Sequence, residues 1–216
     1  SCKRMTEILE EELHPNSHSS IGVLSGPNLA KEIVQGMPAS TVIASKNETL
    51  SYEAQRILNS DTFRVYTNTD VVGVELGGAL KNIIAVGSGI SDGLGYGNNS
   101  KAAFMTRGLV EITRLGVASG AKPLTFAGLT GLGDLIATCY SHLSRNRYVG
   151  EQLAKGNQLK KIVSSMENVA EGVNTTISAI TLASRLGVDT PLMSAVGDIM
   201  FQGANPSHVV SRLMNR

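Results

Sequence analysis

Strand-like spacing of apolar residues is confined to the part of the chain before about residue 70. Before that point, three short runs rich in β-branched or aromatic residues, at 21–24, 41–44 and 63–66, predict strands. Segments at helical spacing precede and separate them, at 5–13, 29–35 and 50–59. Alternating strands and helices predict an α/β layer with a parallel or mixed sheet. Because three strands do not close such a domain and none opens a phosphate-binding glycine loop, we interpret residues 1–68 as the C-terminal half of a doubly wound sheet.

From residue 70 onward, long segments rich in Ala, Gly, Leu, Ile and Val run at helical period. Glycine and proline interrupt them at 93–99, 120–123, 156–158 and 187–191. Residues 69–216 are therefore expected to form an all-helical domain. Glycines inside a helix destabilise it unless they serve packing, so Gly73, Gly77 and Gly78 predict close helix contacts.

Composition and charge exclude several classes of partner. Hydrophobic residues make up 42% of the 216 and charged residues 17%, and the net charge is +1. Such a chain has no basic surface for nucleic acid. The one uncharged run of 18 residues, 13–30, contains two prolines and two histidines, so we expect no integral membrane segment. Residues 1–68 carry six basic and eight acidic side chains, whereas the remainder is mildly cationic and suits a small anionic ligand.

The two cysteines and four histidines show no metal-ligand spacing, so no metal site and no disulfide are expected. This cysteine usage fits a cytoplasmic protein. The chain opens with Ser-Cys-Lys-Arg rather than with a start-of-domain strand, and we expect it to be part of a longer protein.

The first candidate for chemistry is the stretch Leu-Ser-Gly-Pro-Asn-Leu-Ala at 24–30, where a strand turns into a helix. Exposed backbone N–H groups at such a turn favour a phosphate, and a nicotinamide carboxamide would also fit. The alternative is an ordinary turn in which Asn28 caps the helix.

The second candidate is Lys81, which interrupts the apolar helical stretch 77–93. At helical spacing it shares a face with Gly77, Gly78, Ala85 and Ser88, small residues that would leave room for a ligand. A lysine in such surroundings is a candidate acid or base. The alternative, a stem lying along the helix with its ammonium group in water, is equally compatible with the periodicity.

The third candidate combines two neighbouring segments. Glycines at 128, 131 and 133 set up a turn before Asp134, and Thr138 lies one helical turn later. Ser-Arg-Asn-Arg follows at 144–147 and offers planar donors suited to phosphate. The alternatives are Asp134 as a helix N-cap and 144–147 as a solvated basic turn. A fourth stretch, 167–176, places Glu171 near a helix N-terminus, which is uninformative by itself.

In order along the chain, SGPNLAKE, GALKNIIAVGSGISDGLGYGNN, GLTGLGDLIATCYSHLSRNR and VAEGVNT resemble the NAD(P)-dependent glycerol-3-phosphate dehydrogenases. The resemblance covers essentially the whole chain. It implies a partial Rossmann domain at 1–68, binding NAD(P)H, followed by an all-α substrate-binding and catalytic domain at 69–216. It also implies a homodimer in the cytoplasm.

The resemblance assigns roles residue by residue. Lys81 would transfer the proton, Asp134 would orient this lysine and a substrate hydroxyl, and Thr138 would support the same face. The substrate-binding residues would be Gly26, Asn28, Lys81, Asp134, Ser144, Arg145 and Asn146, and the cofactor contacts would be Ala30, Arg145, Val169 and Glu171. Position 28 is a departure, because the family usually has Ser or Thr there.

The implied reaction is the reversible reduction of dihydroxyacetone phosphate to sn-glycerol 3-phosphate, which supplies glycerophospholipid synthesis. Because the glycine-rich half of the Rossmann domain is absent from the sequence, we expect this chain alone to be inactive. Two alternatives are a non-catalytic helical module for dimerisation and phosphate binding, and another two-domain dehydrogenase of a phosphorylated substrate.

Overall fold

Three strands, β1 (Val23–Ser25), β2 (Ala39–Ala44) and β3 (Phe63–Asn68), pair in the order β1–β2–β3 in the computed structural model, which describes residues 2–215. β1 runs antiparallel to β2, with Leu24 opposite Ile43. β2 runs parallel to β3, with Val42 opposite Tyr66. The sheet is therefore mixed, one of the two predicted arrangements, although β1 begins two residues later than its apolar run.

Local signals in the sequence set the helices around the sheet. These helices are α1 (Met5–Glu12), α2 (Ala30–Val34) and α3 (Glu48–Leu58). α1 ends before Pro15, which opens a 3-10 segment, Pro15–Ser20, that the sequence reasoning missed. α3 begins at the N-cap Asn47, whose side chain accepts a hydrogen bond from the Leu50 N–H.

After β3 the described chain contains helices and turns but no strand. The helices are α4 (Val71–Gly93), α5 (Asn98–Ala118), α6 (Asp134–Tyr140), α7 (Arg145–Ala154), α8 (Leu159–Ser164), α9 (Glu171–Leu186), α10 (Pro191–Phe201) and α11 (Pro206–Met214). Every predicted interruption covers residues between two consecutive helices, although 93–99 and 187–191 also include residues at the helix ends. At the end of α9, for example, Gly187 takes the left-handed conformation (φ +65°), which favours glycine.

By packing, the chain forms two units, one of residues 2–78 with Gly116–Ala137 and one of Ala79–Leu115 with the residues from Thr138 onward. In the first, Val42 and Ala44 of β2 pack with Val71 and Val74 of α4. The core of the second is purely helical and includes the fully buried Ile83, Ile112 and Met193. The domain boundary between residues 68 and 69, which separates the sheet from the helices, stays a prediction.

Helices of the second unit approach each other at glycines. A Cβ atom at Gly89 of α4 would overlap the carbonyl oxygen of Arg147, and one at Gly150 of α7 would overlap the carbonyl oxygen of Val86. The backbones of α4 and α7 are therefore in direct contact. In the first unit Gly73 is equally crowded, by the Asp70 carboxylate and the Thr125 methyl group.

One helix, α4, is long and apolar enough to pass a test of length and composition for a membrane span. Of its most apolar 18-residue window, 67% is buried within the fold. The core helix of a soluble protein passes the same test, so α4 is weak evidence for a membrane span.

Candidate active site

The predicted site residues divide between the two units. Gly26, Asn28, Ala30 and Asp134 belong to the first, and Lys81, Thr138, Ser144, Arg145, Asn146, Val169 and Glu171 to the second.

The turn after β1 rests against β2. A Cβ atom at Gly26 would lie 3.0 Å from Thr41 Cα and 3.1 Å from Ser40 O, so this close approach requires glycine. Asn28 Nδ2 donates to Thr41 Oγ1 at 2.7 Å, and Thr41 Oγ1 donates to Ser25 O at 3.1 Å. The N-cap of α2 is Leu29, so the alternative of Asn28 as the cap is wrong.

Within residues 2–215, the Asn28 carboxamide has a hydrogen-bond partner at one end only. Its Oδ1 atom is buried and accepts no hydrogen bond from the described residues. Ala30, by contrast, is exposed at the start of α2. Because Asn28 Oδ1 is buried, it does not discriminate between a phosphate and a carboxamide, and both ligands stay predictions for this turn.

The glycines that precede Lys81 on α4 are covered by protein within the first unit. A Cβ atom at Gly77 would lie 2.8 Å from Thr130 O, and one at Gly78 would lie 2.5 Å from Ser25 Oγ. The prediction of close helix packing is confirmed at these positions. The expectation that both glycines leave room for a ligand is wrong, because backbone and side-chain atoms of the protein fill that space.

Asp134 follows a π-helical segment, Leu129–Gly133, and is 2% exposed. Its backbone is helical (φ −69°, ψ −33°), so it lies inside the helix and the N-cap alternative is wrong. Thr138, one turn further along α6, is also buried. A buried carboxylate requires compensation by hydrogen bonds or charge, which is why such a residue is a candidate for function.

In the second unit, Asn146 links three helices. Its Nδ2 atom donates to Asn82 Oδ1 on α4 at 2.9 Å, and its Oδ1 atom accepts from the Gly172 N–H at the start of α9 at 2.8 Å. Asn146 is 4% exposed and Asn82 is 9% exposed. Because Asn82 directly follows the partly buried Lys81, this network fixes α7 beside the lysine.

Asn82 and Gly172 were missed by the sequence reasoning. Asn82 is a second polar residue in the apolar stretch of α4, and that signal was available. The contact at Gly172 depends on packing, since a Cβ atom there would lie 2.7 Å from Asn82 O and 2.9 Å from Asn146 Oδ1. Only the fold brings residues this distant in sequence together.

Ser144 and Arg145 lie at the beginning of α7, where Ser144 is buried and Arg145 is exposed. Ser144 is its N-cap and accepts from the Arg147 N–H at 3.2 Å. Arg145 Nη2 lies 3.1 Å from Glu171 Oε1, with the two side chains 45% and 52% exposed. Such a surface ion pair contributes little to stability, so the guanidinium group can turn to a phosphate at small cost. The solvated-turn alternative holds for Arg145 but is wrong for Ser144, Asn146 and Arg147, which are buried.

Val169, the remaining predicted cofactor contact, is 65% exposed just before α9. Cys139 is buried on α6, and burial raises the pKa of its thiol to about 12 despite the positive charges of Lys101 and Lys81. It is therefore not a thiolate nucleophile at neutral pH. Among residues 2–215 no three His, Cys, Asp or Glu side chains are grouped so as to hold a metal ion.

A cavity of about 360 Å³ lies elsewhere in the first unit, near the end of β3. It is lined by Glu48, Ser51, Tyr52, Thr67, Asn68 and Thr69. None of these is a predicted site residue, so the candidate chemistry lies outside this cavity.

Comparison with known proteins places the chain in a family. The model of the NAD-dependent glycerol-3-phosphate dehydrogenase C-terminus matches residues 70–211, and that of the N-terminus matches residues 1–51. A glycerol-3-phosphate dehydrogenase [NAD(P)+] from Dehalococcoides mccartyi strain 195 is 51% identical over 99% of this chain and 60% of its own length. The corresponding protein of Leptospira biflexa is 50% identical over 100% of this chain and 65% of its own length.

Solved structures agree. The glycerol-3-phosphate dehydrogenase of Coxiella burnetii superimposes with a TM-score of 0.88 at 40% identity, covering 90% of this chain and 60% of that one. The Saccharomyces cerevisiae enzyme gives 0.81 at 28% identity, covering 94% and 61%. These neighbours confirm the predicted fold class, a partial Rossmann layer followed by helices. The chain spans about 60% of the length of the first of these relatives, and it belongs to the NAD-dependent glycerol-3-phosphate dehydrogenase family.

Proposed function

We propose that the protein containing this chain catalyses the reversible NAD(P)H-dependent reduction of dihydroxyacetone phosphate to sn-glycerol 3-phosphate, for glycerophospholipid synthesis. The observation that carries the proposal is the Asn82–Asn146 hydrogen bond of 2.9 Å. It ties the helix of Lys81, a proton donor, to the turn of Ser144 and Arg145, a phosphate-binding group. The lysine would protonate the carbonyl oxygen of a phosphorylated ketone, and the turn would bind its phosphate group. The relatives carry the name of this activity.

In this mechanism Lys81 acts as the general acid. Its ammonium group protonates the carbonyl oxygen of the substrate as hydride reaches the carbonyl carbon, and the neutral amine takes the proton back in the reverse direction. A ketone oxygen that gains negative charge is stabilised by this proton transfer. Thr138, and Asp134 in the role that the family resemblance implies, would orient the lysine and a substrate hydroxyl.

The phosphate group would bind at the start of α7. Arg145 leaves its exposed partner Glu171 and donates two parallel N–H groups to the phosphate oxygens. Ser144 adds a hydroxyl group. Asn146 supports the turn mainly through its contacts with Asn82 and Gly172, because both ends of its carboxamide are hydrogen-bonded to protein. Gly26 and Asn28 are proposed as further substrate contacts.

The cofactor is proposed to be NAD(P)H, which supplies the hydride when bound. Ala30, Val169 and Glu171 present exposed surface for contacts with the cofactor. Arg145 would reach the cofactor as well as the phosphate. We also propose a cytoplasmic homodimer, as is expected for this family.

The test is an NAD(P)H oxidation assay on the full-length gene product, with dihydroxyacetone phosphate as substrate. We expect loss of NAD(P)H absorbance that depends on this substrate, and no loss with unphosphorylated dihydroxyacetone, because Arg145 then has no anion to bind. Turnover of both ketones at equal kcat/KM, or of neither, would overturn the proposal. The 216-residue chain alone is expected to be inactive.

A further inference from the structure

A cluster of buried charges surrounds Asp92, near the C-terminal end of α4. One carboxylate oxygen of Asp92 lies 2.8 Å from Lys101 Nζ of α5 and 2.7 Å from Arg147 Nε of α7. The side chains of Lys101 and Arg147 are only 6% and 9% exposed, and that of Asp92 is 19% exposed. One carboxylate thus joins two nearly buried cations from two different helices.

Arg147 has two further partners in the cluster besides Asp92. Its Nη2 atom lies 2.9 Å from Glu151 Oε1, and its Nη1 atom lies 2.8 Å from His142 Nδ1. Lys101 Nζ also stands 4.5 Å from the centre of the Tyr140 ring. Because every nitrogen of the Arg147 guanidinium group has a protein partner, Arg147 is a structural cation rather than a ligand-binding one.

The cluster adjoins the predicted phosphate-binding turn. Arg147 lies in the first turn of α7, two residues after Arg145, and its backbone N–H is held by Ser144 Oγ. Asn82 and Asp92 therefore hold the start of α7 at two points ten residues apart on α4, about 15 Å along the helix axis. Between these points the backbones of α4 and α7 are in direct contact at Gly89 and Gly150.

We propose that Asp92 is a positioning residue for substrate binding: by holding Arg147, it fixes the Ser144–Arg145 turn relative to Lys81 on the same helix pair. The role of this turn in binding a phosphate ester rests on the proposed function. Burial raises the pKa of Asp92, but the hydrogen bonds from Lys101 and Arg147 more than offset this, and the pKa lies below its ordinary value. The carboxylate is therefore charged at neutral pH and can hold both cations.

The main test replaces the charge while keeping the shape, Asp92→Asn, in the full-length protein. The matched control is Asp198→Asn, which removes a carboxylate from an exposed ion pair with Arg212 in the same unit. We expect KM for dihydroxyacetone phosphate to rise about tenfold or more in Asp92→Asn while kcat changes less than about threefold, since a displaced binding group weakens substrate binding more than chemistry. The control should match the wild type.

Two further measurements separate positioning from general damage. In an Arg145→Ala background, Asp92→Asn should add little to KM, because the guanidinium group that it positions is gone. Arg147→Lys keeps the positive charge but loses the fork of the guanidinium group, and it should raise KM as Asp92→Asn does. This second variant also serves if Asp92→Asn fails to fold.

Hydrogen exchange of residues 142–150 gives a readout that does not depend on activity. Asp92→Asn should increase exchange in this segment and leave α10 and α11 protected, whereas Asp198→Asn should not. Unchanged exchange, or an unchanged KM in an active protein, would overturn the role of Asp92. A wild-type protein without activity on dihydroxyacetone phosphate would instead overturn the proposed function, and exchange would still decide whether Asp92 fixes the turn.

Discussion

Asn146→Ala tests whether Asn146 serves mainly to join helices or mainly to bind substrate. Its carboxamide donates to Asn82 at 2.9 Å and accepts from Gly172 at 2.8 Å, in a region where all three residues are buried. Truncation removes both hydrogen bonds and leaves the Gly172 N–H group without this acceptor. Asn82 Oδ1 loses this donor as well.

The magnitude follows from these two groups. A buried polar group that loses its partner costs about 1–3 kcal/mol, so the loss of partners by two such groups should lower the free energy of unfolding by about 2–6 kcal/mol. Water entering the space left by the side chain would place the result at the lower end of this range. A loss of this size exceeds that of most surface substitutions.

The assay is urea unfolding of the purified protein, followed by far-UV circular dichroism. Asn157→Ala is the matched control, because the Asn157 carboxamide makes one exposed hydrogen bond to Gln152, and its loss should cost less than about 0.5 kcal/mol. In a double-mutant cycle, Asn146→Ala and Asn82→Ala should couple by about 1 kcal/mol, as expected of residues in direct contact.

The reasoning would be refuted by a free energy of unfolding for Asn146→Ala that equals that of Asn157→Ala. Such a result, together with a strongly raised KM, would mean that the Asn146 carboxamide turns to the substrate instead of joining α4, α7 and α9.

Three further predictions concern other parts of the second unit. Gly150→Ala should lower the free energy of unfolding by several kcal/mol or prevent folding, because the added Cβ would overlap the backbone of α4. The control Gly97→Ala adds a Cβ in open space and should behave like the wild type. Thermal unfolding of both variants measures the difference. Burial raises the pKa of the Glu111 carboxyl group, and the hydrogen bonds that it accepts from two backbone N–H groups of α10 offset this only in part. The stability that protonated Glu111 contributes is therefore fully present below pH 4.5 and is lost as the pH rises through the raised pKa. The stability of the wild type relative to Glu111→Gln should therefore fall between pH 4.5 and neutrality, and a flat or rising difference would contradict the sign. Iodoacetamide should modify Cys2 and spare Cys139 in the folded protein, because the latter is buried with a pKa of about 12; peptide mass spectrometry would detect early modification of Cys139 if this is wrong.

Much of the fold could be predicted because its signals are local. α4 ends at Gly93, Gly156 and Gly187 follow closely on the ends of α7 and α9, and α10 begins at Pro191, so these interruptions are visible in the sequence. The three strands are short β-branched or aromatic runs. Family motifs supplied the positions of Lys81 and Arg145 without any knowledge of their surroundings.

The contacts around Lys81 and Arg145 could not be predicted, because these contacts join segments that are far apart in the sequence. Asn82 and Asn146 are 64 residues apart, and Asp92 and Arg147 are 55 apart. The periodicity of a single helix places Gly78 beside Lys81 but does not reveal that Ser25 covers that glycine. Helix packing also decides that Arg147 is buried while Arg145, two residues earlier, is exposed.

The most direct test of the proposed mechanism is kcat for dihydroxyacetone phosphate reduction by the full-length Lys81→Ala variant. The control is Lys160→Ala, which removes an exposed lysine from α8. If Lys81 is the general acid, its replacement should lower kcat by about 10²- to 10⁴-fold in a variant that still folds, while Lys160→Ala keeps wild-type kcat. A kcat for Lys81→Ala equal to that of the wild type would contradict the account.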